Sequence, residues 1–320
     1  MSATPVDALL DLPILSFGDE VAEALATEAP VVALESTLLA HGLPAGRRRE
    51  VALRLEEAVR SEGATPATVA IVDRRFQVGL DGDALERVIG EGATKASLRD
   101  LAPALALGGV WATTVASTMA IAQVAGLRWF ATGGIGGVHR GAETTFDESA
   151  DLTALAKYPV AVVCAGAKSV LDLPRTLERL ETLGVPVVGF GTDQLPAFYH
   201  GASGLPVPVR VNEARAVAAI AVTRFDRLGE AGVLVVQAPP ASSAQEPRQV
   251  DTWIERALAR AAEKGVQGRE VTPFLLAFLA EVSEGNLVET NIALVEHNAR
   301  LAARCAVADV ALRTSSAYMG

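Results

Sequence analysis

The sequence predicts a three-layer α/β/α fold around a mixed, largely parallel central sheet. Three observations lead there. Short apolar runs alternate with helical patterns, as in a sheet covered on both faces. Hydrophobic residues make up 50% of the 320-residue chain, enough for a large core. No repeat, low-complexity region or long linker separates two folding units. One domain over 1–320 is expected, with a short N-terminal arm over about 1–15.

Taken in order, Pro30–Leu34 reads as a strand, followed by a charged helix from about Arg47 to Glu62. Thr68–Val72 is a strand, and the turn Asp73-Arg74-Arg75 leads into Phe76–Leu80. Gly82 to Gly90 is a short helix, and the apolar, Ala-rich stretch Val115–Ala125 a closely packed one. Leu127–Ala131 and Pro159–Ala165 are strands that end in small residues. Pro174–Leu183 is a helix stopped at Gly184, before a strand at Pro186–Phe190. A helix over Ala214–Leu228 and a strand over Val233–Gln237 follow. Ala238–Gln249, rich in Pro, Ser and Gln, reads as a mobile loop. Helices over Trp253–Lys264, Thr272–Val282 and Asn286–Val307 complete the chain.

A net charge of -10 disfavours a nucleic-acid partner, while local positive charge still allows a small anionic substrate. Cys164 and Cys305 show neither metal-ligand spacing nor a disulfide framework. The N-terminus lacks a secretory pattern, and no apolar run is long enough to span a bilayer. A cytoplasmic protein without a membrane partner is expected.

The stretch from Leu127 to Leu173 concentrates the chemistry. Its first strand opens into GGIGG, His139 and Arg140, its second into AGAKS with Lys168. Between them lie Glu143, Asp147, Glu148 and Asp151. Ligands of open α/β sheets bind at the carboxyl ends of strands, so this reads as an active site. The glycines fit neither a dinucleotide fingerprint, because His139 stands where the third glycine is needed, nor a Walker A loop. They can bring backbone N–H groups close to an anion, or simply make a tight connection.

Lys168, after an apolar strand and near a helix start, can serve as an amine that attacks a carbonyl carbon and forms a Schiff base; the alternative is an exposed lysine flanking a helix. Asp147 and Asp151 are one helical turn apart and would share a side of a helix, where they could hold a hard cation. Alternatively Asp147 or Ser149 caps that helix. Glu35, directly after an apolar strand, suits acid–base work if buried, or a structural bond to loop N–H groups. Lys95 and Arg99 pair with acids or bind a phosphate, while His41 and His297 read as structural.

These segments together resemble the pseudouridine-5′-phosphate glycosidase family, also called indigoidine synthase A-like. The matching motifs are ALESTLLAHGLP (33–44), PATVAIVD (66–73), KASLRDLA (95–102), ATTVASTM (112–119), the run 130–155, the run 159–193, VTPFLLAFLAE (271–281) and ETNIALVEHNARLAA (289–303). The sequence departs from the family pattern at GLPAGRRRE after His41, at Gln237-Ala238 and at EGNLVETN.

The resemblance implies a metal-assisted lyase that reversibly cleaves the C–C glycosidic bond of pseudouridine 5′-phosphate to uracil and ribose 5-phosphate. It implies Lys168 as the nucleophile that forms an imine with C1′ of ring-opened ribose, and Glu35 as proton donor. Asp147 would hold a divalent metal, Mn2+. Lys95, Val115, Ser149, Ala150 and Asp151 would contact substrate; Thr132, His139 and Asn291 would make further contacts to phosphate or base. A homotrimer is also implied. The alternatives are a C-glycosidase of the same mechanism that acts on another base or in a biosynthetic cluster, and a silent sugar-phosphate-binding protein. The chemistry suits these residue types: a C-glycosidic bond has no leaving-group oxygen to protonate, so two carboxylates do not suffice, and a lysine attached at C1′ of the opened ribose would create an iminium.

Overall fold

The structure is a computed structural model that describes residues 13–90, 92–201, 203–266 and 271–317. The first twelve residues of the expected N-terminal arm lie outside the described residues, but Leu15–Phe17 already forms a strand, β1. It is followed by α1 (Asp19–Ala26), β2 (Val31–Glu35), the short α2 (Thr37–His41), α3 (Arg48–Arg60) and the hairpin of β3 (Thr65–Val72) and β4 (Arg75–Val78). Next come α4 (Gly82–Ile89), β5 (Thr94–Ala96), α5 (Leu101–Leu107), β6 (Val110–Thr113), α6 (Val115–Val124) and β7 (Trp129–Ala131). The one-turn α7 (Ala142–Thr145) and α8 (Ala150–Lys157) separate β7 from β8 (Ala161–Cys164). Then follow α9 (Leu173–Thr182), β9 (Val187–Phe190), β10 (Val209–Val211), α10 (Ala214–Val222) and β11 (Val233–Val236). Helices α11 (Pro247–Glu263), α12 (Val271–Val282) and α13 (Asn286–Ala317) close the chain.

The described strands join one 11-stranded sheet, in the order β1-β4-β3-β2-β7-β8-β11-β9-β10, with β6 pairing the outer half of β3 and β5 alongside β6. Only the β3–β4 and β3–β6 pairs are antiparallel. The mixed, largely parallel sheet expected from the sequence is therefore present. Strands β2, β7, β8 and β11 read VVALE, WFA, AVVC and VLVV and are buried almost throughout, which requires cover on both faces. The long α13 lies across β2, β7 and β8 and against α3 and α10, and α6 packs on β2 and β3 beside α8. Among the described residues no helix is long and apolar enough to cross a membrane.

Three expectations change. The helix over Ala214–Leu228 ends at Val222 and continues as a single π turn over Thr223–Arg227. The expected loop Ala238–Gln249 is shorter, because Pro247 opens α11: proline suits a first helical turn, where its missing N–H is no loss. The remaining loop is tied down by Gln245, whose backbone N–H donates to the Tyr199 carbonyl at 2.9 Å and whose side chain donates to Thr290 at 2.7 Å. Finally, β5, β6, β10 and helices α1, α2, α5, α7 and α8 add to the elements read from sequence.

The turn that leaves β8 depends on Gly166. Its φ is +86°, and a Cβ there would meet the Pro196 carbonyl oxygen at 2.3 Å. Gly166→Ala is expected to cost about 1–3 kcal/mol, read as a lowered urea midpoint with unchanged slope. An unchanged midpoint would show that this turn relaxes freely.

Candidate active site

Sheet order assembles the site. β2, β7 and β8 are consecutive and parallel, with Leu34 opposite Ala131 and Ala131 opposite Val163, so the residues just past each strand meet at one edge. Glu35 ends β2, Thr132 follows β7, and Lys168 lies beyond Cys164 of β8. The Thr132 hydroxyl donates a short hydrogen bond to Glu35 Oε1. Burial raises the proton affinity of Glu35; the positive charge of Lys168, the Thr132 bond and Lys95 oppose this, and the charge of Asp151 adds to it. Desolvation wins, and Glu35 keeps its proton above the usual carboxylate range. Cys164, just below, is no competing nucleophile: burial pushes its thiol up to about 12.

Lys168 sits in a turn, not at a helix start as the sequence suggested. Helix α9 begins at Leu173, and its N-cap is Asp172, which accepts from the Arg175 N–H. The lysine is placed instead by a bridge between two loops. Its own N–H donates to the Ile135 carbonyl at 3.1 Å, and Ile135 pairs with Ala167 as in a parallel ladder. The GGIGG loop after β7 and the AGAKS loop after β8 thus continue the sheet beyond its strands.

Asp147 and Asp151 do not share a helix side. Phe146 adopts a left-handed conformation, the chain turns, and α8 starts only at Ala150 with Ser149 as its N-cap. The capping alternative holds for Ser149, not for Asp147. Asp151 is 6% exposed; its Oδ1 accepts from the Ala116 N–H at 2.9 Å and its Oδ2 from the Gly136 N–H at 2.7 Å. A Cβ at residue 136 would lie 2.2 Å from Ser149 Oγ, so glycine is required for this approach. Glu143 and Glu148 leave the carboxylate cluster to pair with Arg175 and Arg179. Asp147 instead faces His139, 3.9 Å from Nδ1, where burial lowers the imidazole's proton affinity against the pull of the carboxylate.

These groups open onto a cavity of about 790 Å³ lined by Glu35, Lys95, Val115, His139, Asp147, Ser149, Ala150, Asp151 and Lys168. Thr132 and Asn291 lie outside it and line a recess of about 70 Å³ that shares Glu35, Lys95 and Lys168 with the cavity. Every site residue expected from the sequence is therefore in one of these two connected spaces. Sequence reasoning missed Leu38, Phe198 and Leu276, apolar walls of the recess, and Thr94 and Ser97 on the cavity side. His41, read as structural, lines both. No local pattern marks these positions, since each becomes visible only when distant segments meet.

Among the described residues no group of three or more His, Cys, Asp or Glu side chains could hold a metal. Asp151 has both oxygens engaged, which leaves the Asp147 carboxylate, with His139 beside it. A hard divalent cation that keeps most of its waters fits one such carboxylate; a fully protein-ligated ion does not.

Comparison with known proteins converges on one family. The family model described as indigoidine synthase A like protein matches residues 20–308. Similar proteins include pseudouridine-5′-phosphate glycosidase of Paracoccus denitrificans (strain Pd 1222), 52% identical over 92% of this chain and 98% of that protein. The protein of the same name from Sorangium cellulosum (strain So ce56) is 51% identical over 92% of this chain and 93% of its own. Among solved structures, the prealnumycin C-glycosynthase AlnA in complex with ribulose 5-phosphate superimposes with a TM-score of 0.88 at 40% identity, covering 95% of this chain and 99% of that one. An indigoidine synthase A-like protein from Thermotoga maritima gives 0.81 at 35% identity, covering 87% and 92%.

The Thr132–Glu35 bond makes a prediction with a definite sign. It favours the charged form of Glu35, so Thr132→Val should raise that group's proton affinity further. The alkaline limb of the activity profile, where the acid loses its proton, is then expected to move to higher pH. A pH–rate profile of the variant checks this, and a limb that moves down contradicts the assignment of Glu35 as the titrating acid.

Proposed function

We propose that this chain, which belongs to the indigoidine synthase A-like family, reversibly cleaves the C–C glycosidic bond of pseudouridine 5′-phosphate to uracil and ribose 5-phosphate. One observation carries the reading. Glu35 and Lys168 line both the wide cavity and the recess, so a retained proton and an amine meet where the two spaces join. A sugar carbon at that junction has a phosphate on one side and a base on the other.

The phosphate end takes Lys95, Ser149, Ala150 and the first turn of α6 at Val115, where a helix N-terminus attracts an anion. Asp151 acts there by holding backbone, since both its oxygens are engaged. The base end takes Thr132 and Asn291 against the apolar walls. His139 serves the cavity side. Once the Lys168 ammonium has lost a proton to solvent, its neutral Nζ bonds to C1′ as the C1′–O4′ bond breaks, and a proton of the attached nitrogen passes to O4′. The nitrogen lone pair then forms C=N as the bond from C1′ to base C5 breaks, and C5 takes the proton held by Glu35. Water adds to the iminium carbon and releases the ribose aldehyde, and the lysine ammonium returns a proton to Glu35.

Asp147 would hold Mn2+ at the cavity wall, where the ion supplies positive charge beside the anionic substrate. The reading also places the enzyme in the cytoplasm, in keeping with two buried free cysteines, and as a homotrimer. A second reading, the same lysine chemistry with another base or in a biosynthetic setting, is favoured by the likeness to a C-glycosynthase. A silent binding protein would have no use for a protonated acid beside an amine.

Incubation with pseudouridine 5′-phosphate and Mn2+ is expected to release uracil, and borohydride to trap a sugar-phosphate adduct on Lys168, located by peptide mass spectrometry. Lys168→Ala should fold and give neither, while Glu35→Gln should lower turnover by about 10²–10⁴-fold. An adduct elsewhere, or an active Lys168→Ala, sinks the imine route; a folded wild type that binds the substrate without turning it over supports the silent protein. Asp147→Ala should weaken Mn2+ binding, measured directly by electron paramagnetic resonance, and unaltered binding would remove Asp147 as ligand.

A further inference from the structure

The base recess does not end at the base. Leu276 of α12, Asn291 of α13, His41 at the end of α2 and Gly42 line the recess, and these four residues also line a second cavity of about 220 Å³. That second space is roughly seven times the ~30 Å³ a water molecule occupies in the liquid. Its remaining lining is mostly apolar and includes Leu43, Pro44, Tyr199, Ala277, Ala280 and Val288. Of the residues that the two spaces share, Leu276 is half-buried and His41 exposed.

Asn291 orients whatever enters. It is only 9% exposed, and its Oδ1 is buried without a hydrogen-bond partner. Buried polar atoms are nearly always paired, so an orphan on the wall of a recess marks a place where a ligand supplies the partner. A pyrimidine ring bonded there through its N–H and C=O groups points its outer edge at Leu276 and the apolar space beyond.

We propose that this second cavity is an extension of the base site that accepts an apolar substituent on a ring nitrogen of the pyrimidine, so that the substrate class is N-substituted C-nucleoside 5′-phosphates as well as the unsubstituted one. The inference rests on the glycosidase reading above. Leu276 and His41 swing aside for the substituent, and its contacts with Leu43, Val288 and Ala280 replace water. The reacting atoms are untouched, because the glycosidic carbon C5 stays at the Glu35 and Lys168 end of the recess. In the synthetic direction the C5–C1′ bond forms as the C5–H bond breaks, its proton passing to the Glu35 carboxylate.

The test uses the full-length enzyme with ribose 5-phosphate and Mn2+, offered uracil, 1-benzyluracil or 3-benzyluracil, with the C-nucleotide product measured by mass spectrometry. At least one benzyluracil is expected to react, with a KM about tenfold or more below that of uracil because its phenyl group is buried. Ala280→Phe and, on an exposed position, Ala277→Phe should fill the second cavity. They are expected to raise the benzyluracil KM by about tenfold or more relative to that of uracil in the same variant. If uracil reacts and neither benzyluracil does, or if both variants treat the bases alike, the extended base site is wrong while the glycosidase stands. If uracil itself fails in a folded enzyme, the underlying reading falls and this one with it.

Discussion

The carboxylate of Asp151 is the constraint on which the site depends. It draws the GGIGG loop after β7 and the first turn of α6 onto one buried point, with N–H donors from both. Burying a carboxylate is costly unless hydrogen bonds compensate, and bonds to a charged group contribute about 1.5–3 kcal/mol each. Here the donors are backbone groups fixed by a helix end and a loop, so compensation needs no flexible cation. Removing the carboxylate would orphan two donors and release both segments. The glycine at 136 belongs to the same device, since any side chain there would collide with Ser149 and push the carboxylate away.

Two acids near one another are thereby given opposite duties. Asp151 is surrounded by N–H donors and stays in the framework. Glu35 receives a single hydroxyl, sits half-buried at the end of a strand and feels the charge of Asp151, and desolvation outweighs the two lysines that would ionise it. Environment rather than residue type separates a carboxylate held in the framework from one whose proton affinity is raised, as where two neighbouring carboxylates take different roles. A chain of net charge -10 still brings Lys95, Arg99 and Lys168 into the lining of one cavity, beside Asp100, Asp147, Glu148 and Asp151, so an anionic group there would be held by individual cations rather than by a positive field.

Much of this was legible in the sequence, for definite reasons. Buried parallel strands appear as uninterrupted apolar runs, so β2, β7 and β8 and the polar residues just past them stood out. What could not be read depended on distance or brevity. LSF, TKA and VRV are three-residue strands with no periodicity to detect, and they exist because β4, β6 and β9 offer edges to pair with. The shared helix side for Asp147 and Asp151 failed because spacing alone cannot say where a helix begins. The left-handed Phe146 and the Ser149 cap set the start three residues later. The placement of Lys168 by Ile135 depends on residues more than thirty positions apart, beyond any local pattern.

The base end follows a different logic from the rest. The edge that carries Glu35, Thr132 and Lys168 is built from strand ends and bridged loops, and groups placed on such elements are held more precisely than groups on free loops. The recess is lined by residues of α2, α12 and α13 together with the loop after β7 and Phe198. A buried amide oxygen without a partner costs about 1–3 kcal/mol, and a framework position would not carry such a cost. At Asn291 the cost falls where a ligand can offset it. Under the proposed function the reacting carbon would lie at this fixed edge and the base would meet side chains on helices, so specificity could shift through α12 and α13 without disturbing Glu35 or Lys168.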